Sequence, residues 1–154
     1  MNYVIDASVA LKWFVREDFH LNALALTRDD VQRVAPDILL AEVGNALRRQ
    51  VRLRLVSDDQ ASEAIQTLLN SFGDLIPSRD LIETAFNLSS QLDHSVYDCI
   101  YLAATLAEDD RTLVTADMKF AAKAMAAGFG KKIQILEAIP TEGGFNLGLE
   151  NENG

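Results

Sequence analysis

The chain has 154 residues, 49% of them apolar, which suits a single domain with a buried core. Cys99 is the only cysteine, and His20 and His94 are the only histidines, so the composition excludes an intramolecular disulfide and a zinc site built from cysteine and histidine. No run of about 18 uncharged apolar residues is present, and the apolar N-terminal segment is too short and too acid-flanked for a signal peptide. We therefore expect a cytoplasmic protein that does not span a membrane.

Short apolar runs predict strands at residues 4–5, 33–35, 75–76, 112–114 and 133–136. Helical periodicity is clearest at residues 61–72 and is also present at residues 81–92, 97–106 and 119–127. Strands that alternate with helices predict a parallel sheet covered on both faces and joined by right-handed crossovers. We place one α/β domain at residues 1–139 and a polar, flexible tail at residues 140–154.

Four acidic residues interrupt apolar stretches of the chain. Asp6 and Asp117 follow the first and fourth predicted strands, and Glu42 and Asp98 lie in apolar helical segments. Ligands of open α/β sheets bind at the carboxyl ends of the strands, an edge that all four side chains can face. Four partly buried carboxylates repel one another, so they must either hold cations or raise some of their pKa values. A divalent metal is the simpler solution, and oxygen ligands indicate Mg²⁺ or Mn²⁺.

Three of these residues have an alternative interpretation as helix caps. Asp6 precedes a predicted helix and could accept its first amides, and either Thr115 or Asp117 could do the same for the helix that follows the fourth strand. Asp98 lies three residues after Ser95, which is the spacing of a capping box. Taken singly, each position is open between a cap and a metal ligand.

Glu42 has a weaker structural explanation than the other three acids. Pro36 and Asp37 already start its helix, so Glu42 lies in the second turn, beyond the usual capping positions. Together with Asn45 and Arg49 it forms a narrow polar stripe on an otherwise apolar helix. The alternative is that this stripe is simply the solvated face of the helix.

The formal net charge of −9 argues at first against nucleic acid as a partner, because backbone binding depends largely on Lys and Arg. Positive charge is nevertheless concentrated beyond Glu42, in Arg48, Arg49, Arg52 and Arg54. Alternate spacing would let some of them reach phosphates while Val51, Leu53 and Leu55 pack. Equally, arginines near a helix C-terminus can offset the macrodipole and cover apolar surface.

The motifs around the four acids resemble those of the PIN domain family, specifically the VapC-type toxins of prokaryotic toxin–antitoxin pairs. They are Val4-Ile5-Asp6-Ala7-Ser8, residues 35–47 (APDILLAEVGNAL), Tyr97-Asp98 and residues 113–117 (LVTAD). Each motif alone is weak, but the four occur in order at family-like spacing, and the resemblance runs from Met1 to about Ile139.

The resemblance implies a three-layer α/β/α fold whose central parallel sheet of four to five strands has its first strand in the middle. It also implies a Mg²⁺-dependent endoribonuclease, with Mn²⁺ as a substitute, that hydrolyses RNA phosphodiester bonds. Such a protein acts as the toxin of a type II pair, binds a cognate antitoxin and forms a homodimer.

The resemblance also assigns site residues. The family's acidic quartet, which we take as catalytic and metal-binding, matches Asp6, Glu42, Asp98 and Asp117. Supporting polar positions match Ser8, Thr115 and Asn45. Arg49 is added as a candidate contact to the substrate.

Two other functions compete with this interpretation. One is a non-catalytic module that binds RNA or a partner and keeps the acids for structure. The other is an acidic-site α/β enzyme such as a phosphatase with a D-x-D nucleophile, but Ser8 stands where its second Asp would be. His94 lies near Asp98 and could act as a general base, although a lone loop histidine is more often solvated.

Overall fold

The computed structural model describes residues 1–141. Its centre is a four-stranded parallel sheet in the order β2-β1-β3-β4. The strands are β1 (Asn2–Ile5), β2 (Gln32–Val34), β3 (Arg111–Thr115) and β4 (Ile133–Ile135). β1 pairs with both β2 and β3, so the expected position of the first strand in the middle of the sheet is confirmed. The polar tail predicted from residue 140 lies, from residue 142 onward, outside the described residues.

The strand predicted at residues 75–76 is wrong. Ile76 forms only an isolated parallel bridge with Pro36, in which its amide donates to Ala35 and its carbonyl accepts from Asp37. Asp37 is already helical, with φ of −62° and ψ of −24°, and α3 starts directly afterwards, so the ladder cannot extend beyond this bridge.

Seven α-helices surround the sheet within residues 1–141 and give a three-layer α/β/α fold. They are α1 (Ala7–Ala10), α2 (His20–Ala25), α3 (Ile38–Arg52), α4 (Asp58–Asn70), α5 (Ile82–Leu92), α6 (Val96–Leu106) and α7 (Met118–Ala124). α4 begins with a capping box between Ser57 and Gln60. None of these helices combines the length and apolar character needed to cross a bilayer.

Helix α6 and the carboxyl ends of β1 and β3 meet at one edge of the sheet. Residues 99–105 of α6 are all buried, and the helix contacts β1 and β3. A helix that leads into a parallel strand through a short loop runs antiparallel to it, so the first turn of α6 lies near the carboxyl end of β3. The turns after β1 and β3 open at the same edge because these two strands are neighbours. This edge is where the four acidic residues meet.

Candidate metal centre

Asp6 lies between β1 and α1 and is 6% exposed. Although it occupies the N-cap position of α1, its side chain accepts no capping hydrogen bond, so the cap interpretation is wrong here. Its Oδ2 atom instead accepts the hydroxyl of Ser8 at 2.6 Å and that of Thr115 at 2.7 Å. Burial raises the pKa of Asp6 from 3.8 to about 6, against the lowering effect of these two hydrogen bonds.

Two backbone amides in the turn between β3 and α7 orient these hydroxyls. The Ala116 amide donates to Ser8 Oγ at 3.1 Å, and the Asp117 amide donates to Thr115 Oγ1 at 3.0 Å. Each hydroxyl oxygen therefore accepts from the backbone and directs its own proton to Asp6. Both bonds reach Oδ2, and Oδ1 of Asp6 accepts no hydrogen bond from any residue in 1–141.

Asp117 caps α7, as one of the two cap interpretations predicts. Its Oδ1 atom accepts the amide of Phe120 at 3.0 Å, whereas Thr115 makes no capping bond to the helix. The Oδ2 atom of Asp117 accepts no hydrogen bond within the described part of the chain. The cap and a ligand role are therefore compatible in this residue.

Asp98 lies in the first turn of α6 and pairs with His94. The two side chains approach at 2.6 Å between Nε2 and Asp98 Oδ2, and their exposed fractions are 26% for Asp98 and 12% for His94. The predicted capping box with Ser95 is wrong, because the Ser95 hydroxyl accepts from the amide of Tyr97 and the Asp98 carboxylate turns to the imidazole instead.

Glu42 lies in the second turn of α3 and accepts the hydroxyl of Tyr101 from α6, at 3.1 Å to Oε1. Burial raises the pKa of Glu42 from 4.5 to about 7, repulsion from Asp6 and Asp98 adds to the rise, and the Tyr101 hydrogen bond opposes it. Burial and these negative neighbours also raise the pKa of the Tyr101 phenol, so its proton stays in place as a donor.

The four predicted acids share one electrostatic environment. After burial and its two hydrogen bonds, Asp6 is affected by repulsion from Asp98 and Asp117, while Glu42 is affected by Asp6 and Asp98. Ligand atoms of His94, Asp98 and Asp117 also lie within 4.8 Å of one another. The structure thus brings the quartet together and adds a histidine to it.

The donor set fits a divalent cation that prefers oxygen ligands. No Lys or Arg in residues 1–141 forms an ion pair with any of the four carboxylates. Each carboxylate gives one oxygen to a protein donor and, as far as the described residues go, keeps the other free. Carboxylates without a Lys or Arg partner, each with one oxygen held and one oxygen free, form a donor set that suits a divalent cation.

Comparison with known proteins agrees with this geometry. A family model described as PIN domain matches residues 3–125. The chain belongs to the PIN domain family. It is 41% identical over 91 residues to Ribonuclease VapC1 of Mycobacterium tuberculosis strain CDC 1551 / Oshkosh, and equally to the protein of that name from strain ATCC 25618 / H37Rv. The match covers 57% of this chain and 65% of each relative, so the chain spans just under two thirds of the relatives' length.

Two predicted residues of this PIN domain, Asn45 and Arg49, make no hydrogen bond or ion pair to the carboxylate cluster within residues 1–141. Both are exposed on α3, and neither side chain forms a hydrogen bond or ion pair within the part of the chain that the structure describes. Helical spacing places Arg49 on the same face as Glu42, about 10 Å further along the axis. Arg49 therefore lies about two helical turns from Glu42 along the axis.

The predicted packing of Leu53 and Leu55 is wrong, because these side chains are 57% and 67% exposed. α3 ends at Arg52, and Arg54 adopts a left-handed conformation with φ of 58°. Leu53 and Leu55 therefore follow the end of the helix, where their side chains face solvent.

Sequence reasoning missed Tyr101 as a partner of the PIN-domain acids, and it noted His94 near Asp98 only as a candidate general base. The expectation that His94 is solvated is wrong, since its imidazole is mostly buried against Asp98. The sequence feature that could have revealed this contact is the i, i+4 spacing of His94 to Asp98. The corresponding feature for Tyr101 is its place in the apolar helix α6, where a buried phenol needs a hydrogen-bond partner.

Proposed function

We propose that this protein is a metal-dependent endoribonuclease that hydrolyses RNA phosphodiester bonds. The observation that carries the proposal is the convergence of four carboxylates that keep one free oxygen each and lack a Lys or Arg partner within residues 1–141. The PIN family match and the relatives' printed name, Ribonuclease VapC1, support the same class of reaction.

Asp6, Glu42, Asp98 and Asp117 would hold Mg²⁺, or Mn²⁺ in its place. Bound there, the cation supplies a lowered pKa for water and neutralises charge on the phosphodiester. Asp6 and Asp98 are the principal holders in our assignment, and Glu42 and Asp117 complete the set directly or through water. Ser8 and Thr115 fix the orientation of Asp6, so the carboxylate need not reorganise when the cation arrives.

RNA approaches this acidic protein most favourably along α3. Arg49, Arg52 and Arg54 are exposed and form no ion pair within residues 1–141, whereas Arg48 pairs with Asp58 at 3.5 Å. Positive side chains beyond Glu42 can bind phosphates flanking the scissile bond. The positive charge of these arginines thus offsets, near the site, the unfavourable net charge of −9.

We further propose that the protein is the toxin of a type II toxin–antitoxin pair and that it forms a homodimer. This part rests on the VapC-type motifs and on the similarity to VapC1. A bound antitoxin would block access of RNA to the carboxylates. Purification from cells that express the neighbouring open reading frame tests whether the two proteins form a complex.

The decisive assay measures cleavage of cellular RNA by the purified full chain in Mg²⁺, in Mn²⁺ and in EDTA. We expect cleavage only with metal, and a loss of at least about 100-fold in Asp6→Asn, which keeps an acceptor for its two hydroxyl donors. Asp109→Asn, an exposed change of the same charge, should retain activity. Circular dichroism checks that both variants fold. Undiminished activity in Asp6→Asn contradicts the proposal, and metal-independent RNA binding without cleavage favours the non-catalytic module.

A further inference from the structure

His94 occupies a fixed turn between α5 and α6. Asp93 ends α5 in a left-handed conformation with φ of 48°, and the His94 amide donates to the Ser89 carbonyl at 3.2 Å. From α7, the Lys123 ammonium donates to the Asp93 carbonyl. The backbone of His94 is therefore tied to two helices before its side chain makes any contact.

The imidazole of His94 lies between the first turns of α6 and α7. Its Nε2 atom is 2.6 Å from Asp98 Oδ2, and its ring centroid is 4.9 Å from that of Phe120. Phe120 is 1% exposed, and its amide donates to the Asp117 carboxylate. The ring thus lies between Asp98, which keeps one carboxylate oxygen free, and Phe120, whose amide fixes the Asp117 carboxylate.

We propose that His94 is a positioning residue of the metal centre, which orients the Asp98 carboxylate through Nε2 and does not itself bind the cation. The inference rests on the proposed metal-dependent function. Asp98 is 26% exposed, so without the imidazole its side chain can rotate toward solvent and must be ordered when a cation binds. With the imidazole, Oδ2 is held and Oδ1 remains for the cation.

The same arrangement recurs around the centre, which supports a positioning role over ligation. Each of the other three acids also has one oxygen held by a donor of the protein. Ligation through Nε2 would require the 2.6 Å contact with Asp98 to break, because Nε2 cannot direct a proton and a lone pair to neighbouring atoms at once. Ligation through the other ring nitrogen, Nδ1, is the alternative that spectroscopy of the Mn²⁺ complex tests. In this proposal an Nε2–H that donates to Asp98 is the functional group of the side chain.

Calorimetric titration of the metal-free full chain with Mn²⁺ separates the proton donor from the aromatic ring. His94→Gln keeps a donor without the ring, His94→Phe keeps a ring against Phe120 without the donor, and His94→Ala lacks both. Loss of such an outer partner typically weakens metal affinity about 10- to 100-fold. We expect about 10-fold weaker binding in the Phe and Ala variants, and affinity within about threefold of wild type in the Gln variant. His20→Gln, which changes the other histidine, should bind like wild type.

Pulsed electron paramagnetic resonance of the wild-type Mn²⁺ complex tests the second half of the proposal, and it should show no directly bonded nitrogen. A nitrogen coupling of a directly bound imidazole overturns the positioning role, as does wild-type affinity in whichever of the Phe and Ala variants folds. A Gln variant as weak as the Ala variant also overturns it. If wild type binds no Mn²⁺, the proposed function fails as well. If wild type binds Mn²⁺ and the His94 variants bind it equally well, only the positioning role of His94 fails and the proposed function stands.

Discussion

The metal centre consists of two halves that are built differently. In the strand half, Asp6 and Asp117 follow neighbouring strands and are held by hydroxyls and backbone amides from the same two turns. In the helix half, Glu42 and Asp98 lie on α3 and α6 and are held by a phenol and an imidazole. Turns after paired strands are fixed by the sheet, whereas the helix half depends on the packing of single aromatic side chains.

This difference predicts unequal sensitivity to mutation. Donors of the strand half are connected to one another, since each hydroxyl that reaches Asp6 also accepts a backbone amide. Loss of one donor there leaves a second buried group without its partner. Each donor of the helix half serves one carboxylate, so its loss should be milder.

The pH dependence of stability compares the two halves in the metal-free protein. Asp6 and Glu42 have pKa values raised to about 6 and about 7, so the folded state binds more protons than the unfolded state between about pH 4 and pH 7. The free energy of unfolding should therefore fall as pH rises through this window. Asp6→Asn removes the first group, and we expect it to stabilise the protein at pH 8 by at most about 3 kcal/mol and to change little at pH 4.

Urea unfolding in EDTA at both pH values measures this effect, with Asp109→Asn as the control of equal charge. Added Mn²⁺ should stabilise wild type at pH 8 far more than at pH 5, because binding requires deprotonated carboxylates. A wild type whose metal-free stability increases from pH 5 to pH 8 would contradict the raised pKa values in both halves.

Thr115→Val tests the strand half. The change keeps the shape of a fully buried side chain but removes the hydroxyl that donates to Asp6 and accepts the Asp117 amide. Because the Thr115 hydrogen bond lowers the pKa of Asp6, its loss should raise that pKa further. We expect Mn²⁺ affinity and RNA cleavage at pH 7 to fall about 10- to 100-fold. Thr112→Val on the same strand is the control, and equal effects of the two changes would refute the role of the hydroxyl.

Tyr101→Phe tests the helix half. It removes the donor to Glu42 and should reduce the free energy of unfolding by about 1 kcal/mol. The pKa of Glu42 should rise, since this hydrogen bond lowers it, so the pH midpoint of Mn²⁺ binding should move upward and affinity at pH 7 should fall about fivefold. Tyr3→Phe serves as the control. An effect larger than that of Thr115→Val would reverse the proposed order of the two halves.

The same division explains what the sequence could predict. The strand half follows from local pattern, because an apolar run that ends in Asp6 or in Thr115 to Asp117 places those side chains at the sheet edge wherever the strands pair. The helix half required tertiary knowledge. The spacing of Ser95 and Asp98 predicted a capping box, but a mostly buried imidazole from the preceding turn binds the carboxylate instead.

The predicted strand at residues 75–76 failed for a related reason. A two-residue apolar run predicts extended backbone but cannot show how far the neighbouring segment stays extended. Asp37 already turns into α3, and the run forms a single bridge. Local chemistry therefore fixes which residues can act, while the partners of those residues depend on packing.

Arg49→Gln is the mildest change, and it asks whether the helix half also binds the substrate. Arg49 lies on the same face of α3 as Glu42, about 10 Å further along, and is exposed. Removal of one phosphate contact should weaken binding of single-stranded RNA about threefold at low salt and reduce the slope of log affinity against log salt by about 0.7. Fluorescence anisotropy in the Asp6→Asn background measures binding without cleavage.

Arg28→Gln is the charge-matched control, because Arg28 precedes β2 at the opposite edge of the sheet and pairs with Asp30. If both changes reduce the salt slope equally, RNA binding follows total charge rather than the α3 surface. If only Arg49→Gln does so, the helix half has two functions, since one helix then carries both a metal-binding carboxylate and a contact to the substrate backbone.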